Sequence, residues 1–225
     1  MDGDRRDPDG FSGPANWLRR YWLRLGVNVA ALVPLLLLVW WLATDRFFLD
    51  PVKQITIRTG RLAITFLLLS LACTPLASLT GVPRIRRARR PFGLWSLAYT
   101  TLHFLTFAGW DYRFDPALLR IGIFSQPFVL VGMGAFLILL VLGVTSWPRL
   151  QRSMGRSWRR VQRGVYVAAV LDVWHVLWLK KSVWEAWRYP AILAVLFILR
   201  IPQIRKGVEG LRTLLLEKGN QDQRA

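Results

Sequence analysis

Long apolar runs alternate with short charged segments along most of the chain. An α-helix needs about 20 mostly apolar residues to cross the hydrocarbon core of a bilayer. Runs of about this length predict six transmembrane helices, at about residues 25–44, 62–81, 93–111, 124–147, 164–179 and 184–201. Asp172, Glu185 and Arg188 interrupt the last two runs. The pattern therefore predicts an all-α fold, a polytopic six-helix transmembrane bundle.

The segments outside these runs are short. Residues 1–20 open with a stretch rich in Asp, Gly and Pro, which predicts a disordered or interfacial N-terminal segment. Residues 21–204 are predicted to form one six-span membrane domain, and residues 205–225 a polar cytoplasmic tail. No region has the composition of a second, soluble domain.

Positive charges are distributed unevenly between the two ends of the predicted spans. With Arg200, at the end of the sixth run, the N-terminal segment, the loops before the third and fifth spans and the C-terminal tail carry 22 Lys and Arg residues. With Arg188, near the start of that run, the other three loops carry 9. Loops with the excess of Lys and Arg lie in the cytoplasm. Both termini are therefore predicted to be cytoplasmic.

The composition suits a membrane protein with charged loops, since the formal net charge is +18 while 53% of the residues are hydrophobic. Two basic loops, "PRIRRARRP" (83–91) and "RLQRSMGRSWRRVQR" (149–163), lie directly against predicted spans. We interpret them as topology signals that contact anionic lipid, and not as nucleic-acid sites. An acidic cytosolic electron donor is the alternative partner for these loops. The single cysteine, Cys73, excludes an intrachain disulfide.

The chain has only two histidines, and both lie inside apolar runs. His103 follows Gly93, where the third span begins, by ten residues, and His175 follows Gly164, where the fifth begins, by eleven. At about 1.5 Å per residue both imidazoles lie about 15–17 Å from the same membrane face. Two imidazoles at one depth, on two helices that run in the same direction, suit the axial ligands of one haem iron. The alternative is that each histidine forms an interhelical hydrogen bond.

Further candidate residues follow if a haem is bound. Asp172 lies one turn from His175 on the same face, where it either bonds to a neighbouring span or tunes the haem and relays protons. Haem propionates call for basic partners near the ends of the spans. The candidates are Arg61, Arg113, Lys180 and Lys181, for which a solvated span end is the alternative role.

Four segments carry a family resemblance, in this order: "DPVKQITIRTGRLAITFLLLSLACTPLA", "RRPFGLWSLAYTTLHFLTF", "QPFVLVGMGAFLILLVLGVTS" and "MGRSWRRVQRGVYVAAVLDVWHVLW". Together they resemble the MsrQ (formerly YedZ) family over roughly residues 50–178. This family comprises the haem-binding membrane subunits of the bacterial MsrPQ system. It belongs to the wider ferric-reductase-like transmembrane group, so the resemblance implies a bundle of that type.

The resemblance implies a function that composition does not. Members carry electrons across the bacterial inner membrane to MsrP, a periplasmic molybdopterin enzyme that reduces methionine sulfoxide in oxidised proteins. The chain would then be a non-catalytic electron-transfer subunit with haem b, one haem being expected, and with FMN at a site the sequence does not reveal. The electron donor is either the quinol pool or a cytosolic flavin reductase. His103 and His175 match the family's ligand histidines.

Two positions depart from the family pattern. Many members have a histidine thirteen residues before the second ligand, where this chain has Gln162, and another three residues before the glycine of the TG pair, where it has Ile57. Glutamine is a poor iron ligand, so a second haem at Gln162 is not expected. The 25 residues after Arg200 are too few for a flavin or nicotinamide domain, so a separate electron donor is expected.

Two other functions stay open. A metal-ion reductase, fed by a separate electron donor, could use the same helical bundle. A non-redox membrane protein could use both histidines only to join helices. Transporters often contain internal repeats, and no repeat is evident between the first three and the last three predicted spans.

The charge distribution makes the orientation testable. We expect a reporter fused after Ala225 to be active in the cytoplasm, because the C-terminal tail belongs to the set of loops with 22 basic residues. Paired phosphatase and fluorescent-protein fusions measure this directly. A fusion that is active only in the periplasm would contradict the six-span topology.

Overall fold

The computed structural model describes residues 14–44, 46, 50–179, 183–204, 207 and 210, with side chains except at 14–21 and 183–186. These residues form helices and, within the described ranges, no strand, which confirms the all-α prediction. The helices are α1 (Pro14–Ala43), α2 (Pro51–Thr80), α3 (Arg89–Thr106), α4 (Pro116–Ser125), α5 (Pro127–Val144), α6 (Pro148–Met154), α7 (Arg156–Val161), α8 (Gly164–Leu179) and α9 (Val183–Ile198). A 3₁₀ turn, Pro83–Ala88, precedes α3, and a π-helical turn, Phe107–Asp111, extends it.

Each predicted span coincides with one of the longer helices: α1, α2, α3 with its π turn, α5, α8 and α9. The largest differences are in the first two spans, because α1 begins at Pro14 and not at residue 25, and α2 begins at Pro51 and not at residue 62. The start of α2 bears on the site. Asp50 caps this helix by accepting a hydrogen bond from the backbone N–H of Lys53 at 3.0 Å, and Pro51 suits the first helical position. Charged residues in its first turns hid this start from a search for apolar runs.

Three of the described helical segments are long and apolar enough to cross a membrane: Trp22–Ala43, Pro51–Thr80 and Pro127–Val144. Pro116–Ser125 and Trp187–Ile198 are shorter apolar helices. Helix α3 does not belong to the first group because hydroxyl-bearing residues lower its mean hydropathy. Helix α8 does not belong to it because it has only 16 residues. The count of six spans therefore stays a prediction.

Helices α2 and α3 form an antiparallel pair that hydrogen bonds join at seven-residue intervals. The Ser70 hydroxyl of α2 donates to the carbonyl oxygen of Arg89 at 2.9 Å, and the Ser96 hydroxyl of α3 donates to that of Ala63 at 3.0 Å. Seven residues make about two helical turns, so both bonds lie on the same face. Small side chains such as these let two helix backbones approach closely.

The main apolar core lies between α2, α5, α8 and α9. Its most deeply buried members are Ile64, Leu67, Leu71, Ala168 and Ala169. Helix α1 packs outside this core and is joined to α3 by polar contacts. The Tyr99 hydroxyl donates to the carbonyl oxygen of Ala31 at 2.6 Å, and the Trp95 indole N–H donates to Asn28 Oδ1 at 2.9 Å.

The two ends of the bundle differ in charge. The end formed by the 3₁₀ turn, α6 and α7 carries both basic loops, and we call it the arginine end. Arg90 donates to the carbonyl oxygen of Ser146 at 2.7 Å, so the two basic loops are neighbours. We call the other end, where α2 and α5 begin and α3 and α8 finish, the histidine end.

A proline in α2 is compensated by an arginine from another helix. Pro75 has no N–H, so the carbonyl oxygen of Leu71, one turn earlier, lacks its intrahelical donor. The Arg200 guanidinium donates to this carbonyl and to the Tyr166 hydroxyl. It also lies over the Tyr166 ring, 4.9 Å from the centroid. One side chain after α9 therefore joins α9 to both α2 and α8.

This contact predicts a coupling between two distant positions. Replacing Arg200 by leucine should destabilise the protein by about 1–2 kcal/mol, partly because it leaves the Leu71 carbonyl without a donor. In a Pro75→Ala background the loss should be smaller, since alanine restores the missing N–H. Thermal unfolding in detergent of the two single variants and the double variant measures the difference. Equal losses in both backgrounds would contradict the compensation.

Candidate functional site

The structure brings the two histidines together at the histidine end of the bundle. His103 lies in the last turn of α3, and His175 lies four residues before the end of α8. Their ring centroids are 6.3 Å apart, and their ring planes meet at 80°. The equal depth expected from the sequence therefore corresponds to two facing side chains.

Each imidazole is anchored through one nitrogen to a neighbouring helix. His103 Nδ1 lies 2.8 Å from the carbonyl oxygen of Thr56 in α2, which continues the seven-residue register of the α2–α3 pair. His175 Nδ1 lies 2.7 Å from the carbonyl oxygen of Phe128 in α5. A carbonyl only accepts, so each Nδ1 carries the proton and each Nε2 has a free lone pair. This arrangement is typical of metal-binding histidines.

The separation of the rings suits a single metal ion between them. With a metal–nitrogen bond of about 2.0–2.1 Å, two imidazoles on opposite sides of one ion have centroids about 6.2–6.4 Å apart. The observed 6.3 Å falls within this range. Among the described residues no group of three or more His, Cys, Asp and Glu side chains could hold a metal ion. The pair is thus compatible with an ion whose other ligands come from a cofactor, and its role as axial ligands stays a prediction.

A cavity of about 870 Å³ surrounds the histidine pair. This volume lies within the range of roughly 300–1,000 Å³ typical of cofactor and ligand sites. Helices α2, α3, α5 and α8 supply its walls, largely with apolar side chains, and Tyr189 of α9 contributes one more. Four exposed charged residues also line it, and we call this part of the cavity its mouth: Asp50, Lys53, Arg61 and Asp111. A flat, mostly apolar cofactor with a charged edge fits such a cavity.

The structure separates the basic residues that the sequence offered as propionate partners. Arg61 lines the cavity. Arg113 does not line it, because its side chain is exposed in a turn with left-handed backbone at Arg113 and Phe114 (φ 51° and 57°). Lys180 and Lys181 lie outside the described residues.

Asp172 lines the same cavity as both histidines. None of the described residues donates a hydrogen bond to its carboxylate. The alternative in which Asp172 bonds to a neighbouring span therefore has no partner within the described ranges. Its role in tuning a haem or relaying protons stays a prediction.

Lys53 is a cavity residue that the sequence reasoning missed. It lies in the first turn of α2, a stretch assigned to a loop because it is charged. The order Asp50, Pro51 is a typical helix start and could have revealed the longer helix. Lys53 would then have appeared on the same helical face as Ile57 and Arg61, which follow it at four-residue intervals and also line the cavity.

Gln162, where the family resemblance implies a histidine, follows the last residue of α7 and is half-buried. Its side-chain amide donates to the carbonyl oxygen of Leu142 and to the hydroxyl of Thr145, each at 3.1 Å. These acceptors lie at the end of α5, where backbone carbonyls lack intrahelical donors. Nearby, Leu97 packs so close to Gly143 that an added Cβ would lie 2.3 Å from Leu97 Cδ2. The space between α3, α5 and α8 is therefore filled at this end.

Comparison with known protein families gives one match. Residues 59–173 match the family described as "Ferric reductase like transmembrane component". The match covers just over half of the chain, from the middle of α2 into α8. It includes His103 and ends two residues before His175.

The contacts of Gln162 predict that its loss affects stability and not cofactor binding. We expect Gln162→Ala to lower the free energy of unfolding by about 1 kcal/mol, because it removes two hydrogen bonds at the end of α5. Bound haem per polypeptide should stay near the wild-type value. Thr145→Val is the matched variant, since it removes one of the two acceptors. Loss of most haem from Gln162→Ala alone would reveal a second site at the arginine end.

Proposed function

The chain belongs to the ferric-reductase-like transmembrane family, and we propose that it is a haem b subunit that carries electrons across the bacterial inner membrane. Membership makes it a membrane protein of a redox family. The finer assignment is supported by one observation above all, which is the pair of facing imidazoles with their Nδ1 atoms anchored. Both termini would lie in the cytoplasm.

The residues of the site fit one haem between His103 and His175. A bound haem supplies a one-electron iron couple in surroundings from which water is largely excluded. The Thr56 and Phe128 carbonyls hold the Nδ1 atoms of the two imidazoles, which would leave each Nε2 free to bind the iron. Arg61 and Lys53, at the mouth of the cavity, are the basic partners we assign to the propionates.

The acceptor we propose is a periplasmic molybdopterin enzyme of the MsrP type, which repairs methionine sulfoxide in oxidised proteins. The resemblance of residues 50–178 to the MsrQ family supports this partner. In the predicted orientation the histidine end faces the periplasm, so the haem edge lies on the side of that enzyme. Electrons would come from the quinol pool or from a cytosolic flavin reductase. FMN is part of the same proposal, and we assign no residues to it.

A metal-ion reductase is the second candidate, because two carboxylates line the cavity mouth. Asp50 and Asp111 both lie there and would attract cations. Purified protein reduced with dithionite and mixed with ferric citrate or with oxidised MsrP separates the two functions. Rapid reoxidation by the molybdoenzyme alone supports the first, and rapid reoxidation by ferric citrate alone supports the second.

The test of the proposed site is the removal of each imidazole. We expect His103→Ala and His175→Ala each to abolish the low-spin haem spectrum and electron delivery, because the described residues offer no other imidazole at the cavity. Wild-type protein should bind about one haem per chain. Thr101→Ala on α3 and Trp174→Phe on α8 are matched controls that should keep both.

The alternative role of the histidines predicts a different result. If they only join helices, each alanine variant costs about 1–2 kcal/mol of stability, and wild-type protein shows no haem bands after reduction. A wild-type bis-histidine spectrum in either alanine variant would contradict the assignment of His103 and His175 as axial ligands.

A further inference from the structure

Each imidazole lies beside a glycine of the neighbouring helix, close to where a Cβ atom would be. A Cβ added at Gly60 of α2 would lie 3.1 Å from both Cε1 and Nδ1 of His103. A Cβ added at Gly132 of α5 would lie 2.7 Å from Nδ1 and 2.9 Å from Cε1 of His175. Non-bonded atoms of this kind do not approach within 3.0 Å. The ring of His175 would have to move, whereas that of His103 would need a shift of only a few tenths of an ångström.

The same turn of helix supplies both the glycine and the hydrogen-bond acceptor. Thr56 precedes Gly60 by four residues, and Phe128 precedes Gly132 by four. Each histidine follows its acceptor by 47 residues. Four residues place two positions on the same face of a helix, one turn apart. The carbonyl therefore fixes Nδ1 while the glycine lets the ring lie close to the helix axis.

This shared arrangement is a structural repeat of the α2–α3 pair in the α5–α8 pair. The local sequences, "TIRTG" and "FVLVG", have only the final glycine in common. The repeat consists of a backbone carbonyl that accepts from a histidine and a glycine four residues after it. Because any residue can supply the carbonyl, the sequence shows little sign of the repeat.

The orientation of the rings depends on this arrangement. A ring held by a single hydrogen bond can turn about that bond, and a Cβ atom at Gly60 or Gly132 would push it to a different angle. The planes of His103 and His175 meet at 80°. In a low-spin haem with two imidazole ligands, the angle between the ligand planes affects the anisotropy of the ferric spectrum. The glycines thus help to fix the angle between the two imidazole planes, which the bonds from the ligand nitrogens alone would not determine.

We infer that Gly132 and Gly60 are positioning residues that set the orientation of the axial imidazoles, with Gly132 the stricter of the two. The inference rests on the proposed haem between His103 and His175. Each glycine would influence the ligand field of the iron indirectly, by setting the angle of the histidine ring beside it. The order of the effects follows from the clearances of 2.7 Å at Gly132 and 3.1 Å at Gly60.

The experiment compares three alanine variants. Gly132→Ala should shift the largest g-value of the ferric low-spin haem and its midpoint potential, and lower haem content. Gly60→Ala should cause a smaller shift with near-normal haem content. Gly134→Ala is the control, because its nearest contact would be Leu171 Cδ1 at 3.6 Å and it does not line the cavity. It should keep the wild-type spectrum and be neutral or slightly stabilising, as glycine disfavours helices.

A second readout uses the protein without haem. Gly132→Ala should lower the apo-protein's unfolding temperature relative to Gly134→Ala, because displacing His175 weakens its bond to the Phe128 carbonyl. If wild-type protein binds no haem, the proposed function fails while this comparison still tests the positioning of the ring.

Two outcomes overturn the inference. One is a wild-type spectrum and wild-type apo stability in Gly132→Ala. The other is an equal change in Gly134→Ala, which would show a general effect of side chains on α5. If Gly132→Ala does not fold, the milder Gly60→Ala decides the matter, since an unchanged largest g-value there contradicts the positioning role of the glycines.

Discussion

Side chains of one helix donate hydrogen bonds to backbone carbonyl oxygens of another throughout this bundle. Within a bilayer no water is at hand to satisfy polar groups, so each must find an internal partner. Ser96, Tyr99, Trp158 and Arg200 all use a carbonyl as acceptor. The Ala63 and Ala31 carbonyls lie inside helices and accept a second bond there, whereas the Leu71 carbonyl, opposite Pro75, has no donor within its own helix. The positions of the helices, and with them the site, depend on this set.

The two histidines also bond to a backbone carbonyl of another helix, and they carry the lone pairs that the proposed function uses. An imidazole has two nitrogens, and here the tertiary structure gives one of them a carbonyl. The other nitrogen is thereby left as a lone-pair donor that faces the cavity. An interhelical hydrogen bond and a ligand were alternatives in the sequence, whereas in the structure a single ring can serve as both. The proposed electron transfer relies on this division of roles.

The two ends of the bundle differ in how closely their helices are packed. At the histidine end glycines and a cavity leave room beside the helices. At the arginine end Leu97 and Gln162 contact the last turn of α5, and Arg200 joins α9 to α2 and α8. Gln162 donates hydrogen bonds to the Leu142 carbonyl and the Thr145 hydroxyl and so caps the end of α5. One cofactor near the histidine end is the arrangement that this packing supports.

The sequence by itself determined the helical class, the places of the main helices and the two histidines at one depth. These follow from local composition and from the constant rise of an α-helix. The early start of α2, the presence of Lys53 in the cavity and the exclusion of Arg113 from it were decided by capping and by a left-handed turn. The orientation of the imidazoles and the need for Gly60 and Gly132 were decided by the tertiary structure alone. They depend on which residues of two distant helices lie side by side, and hydrophobic periodicity along one helix does not specify that register.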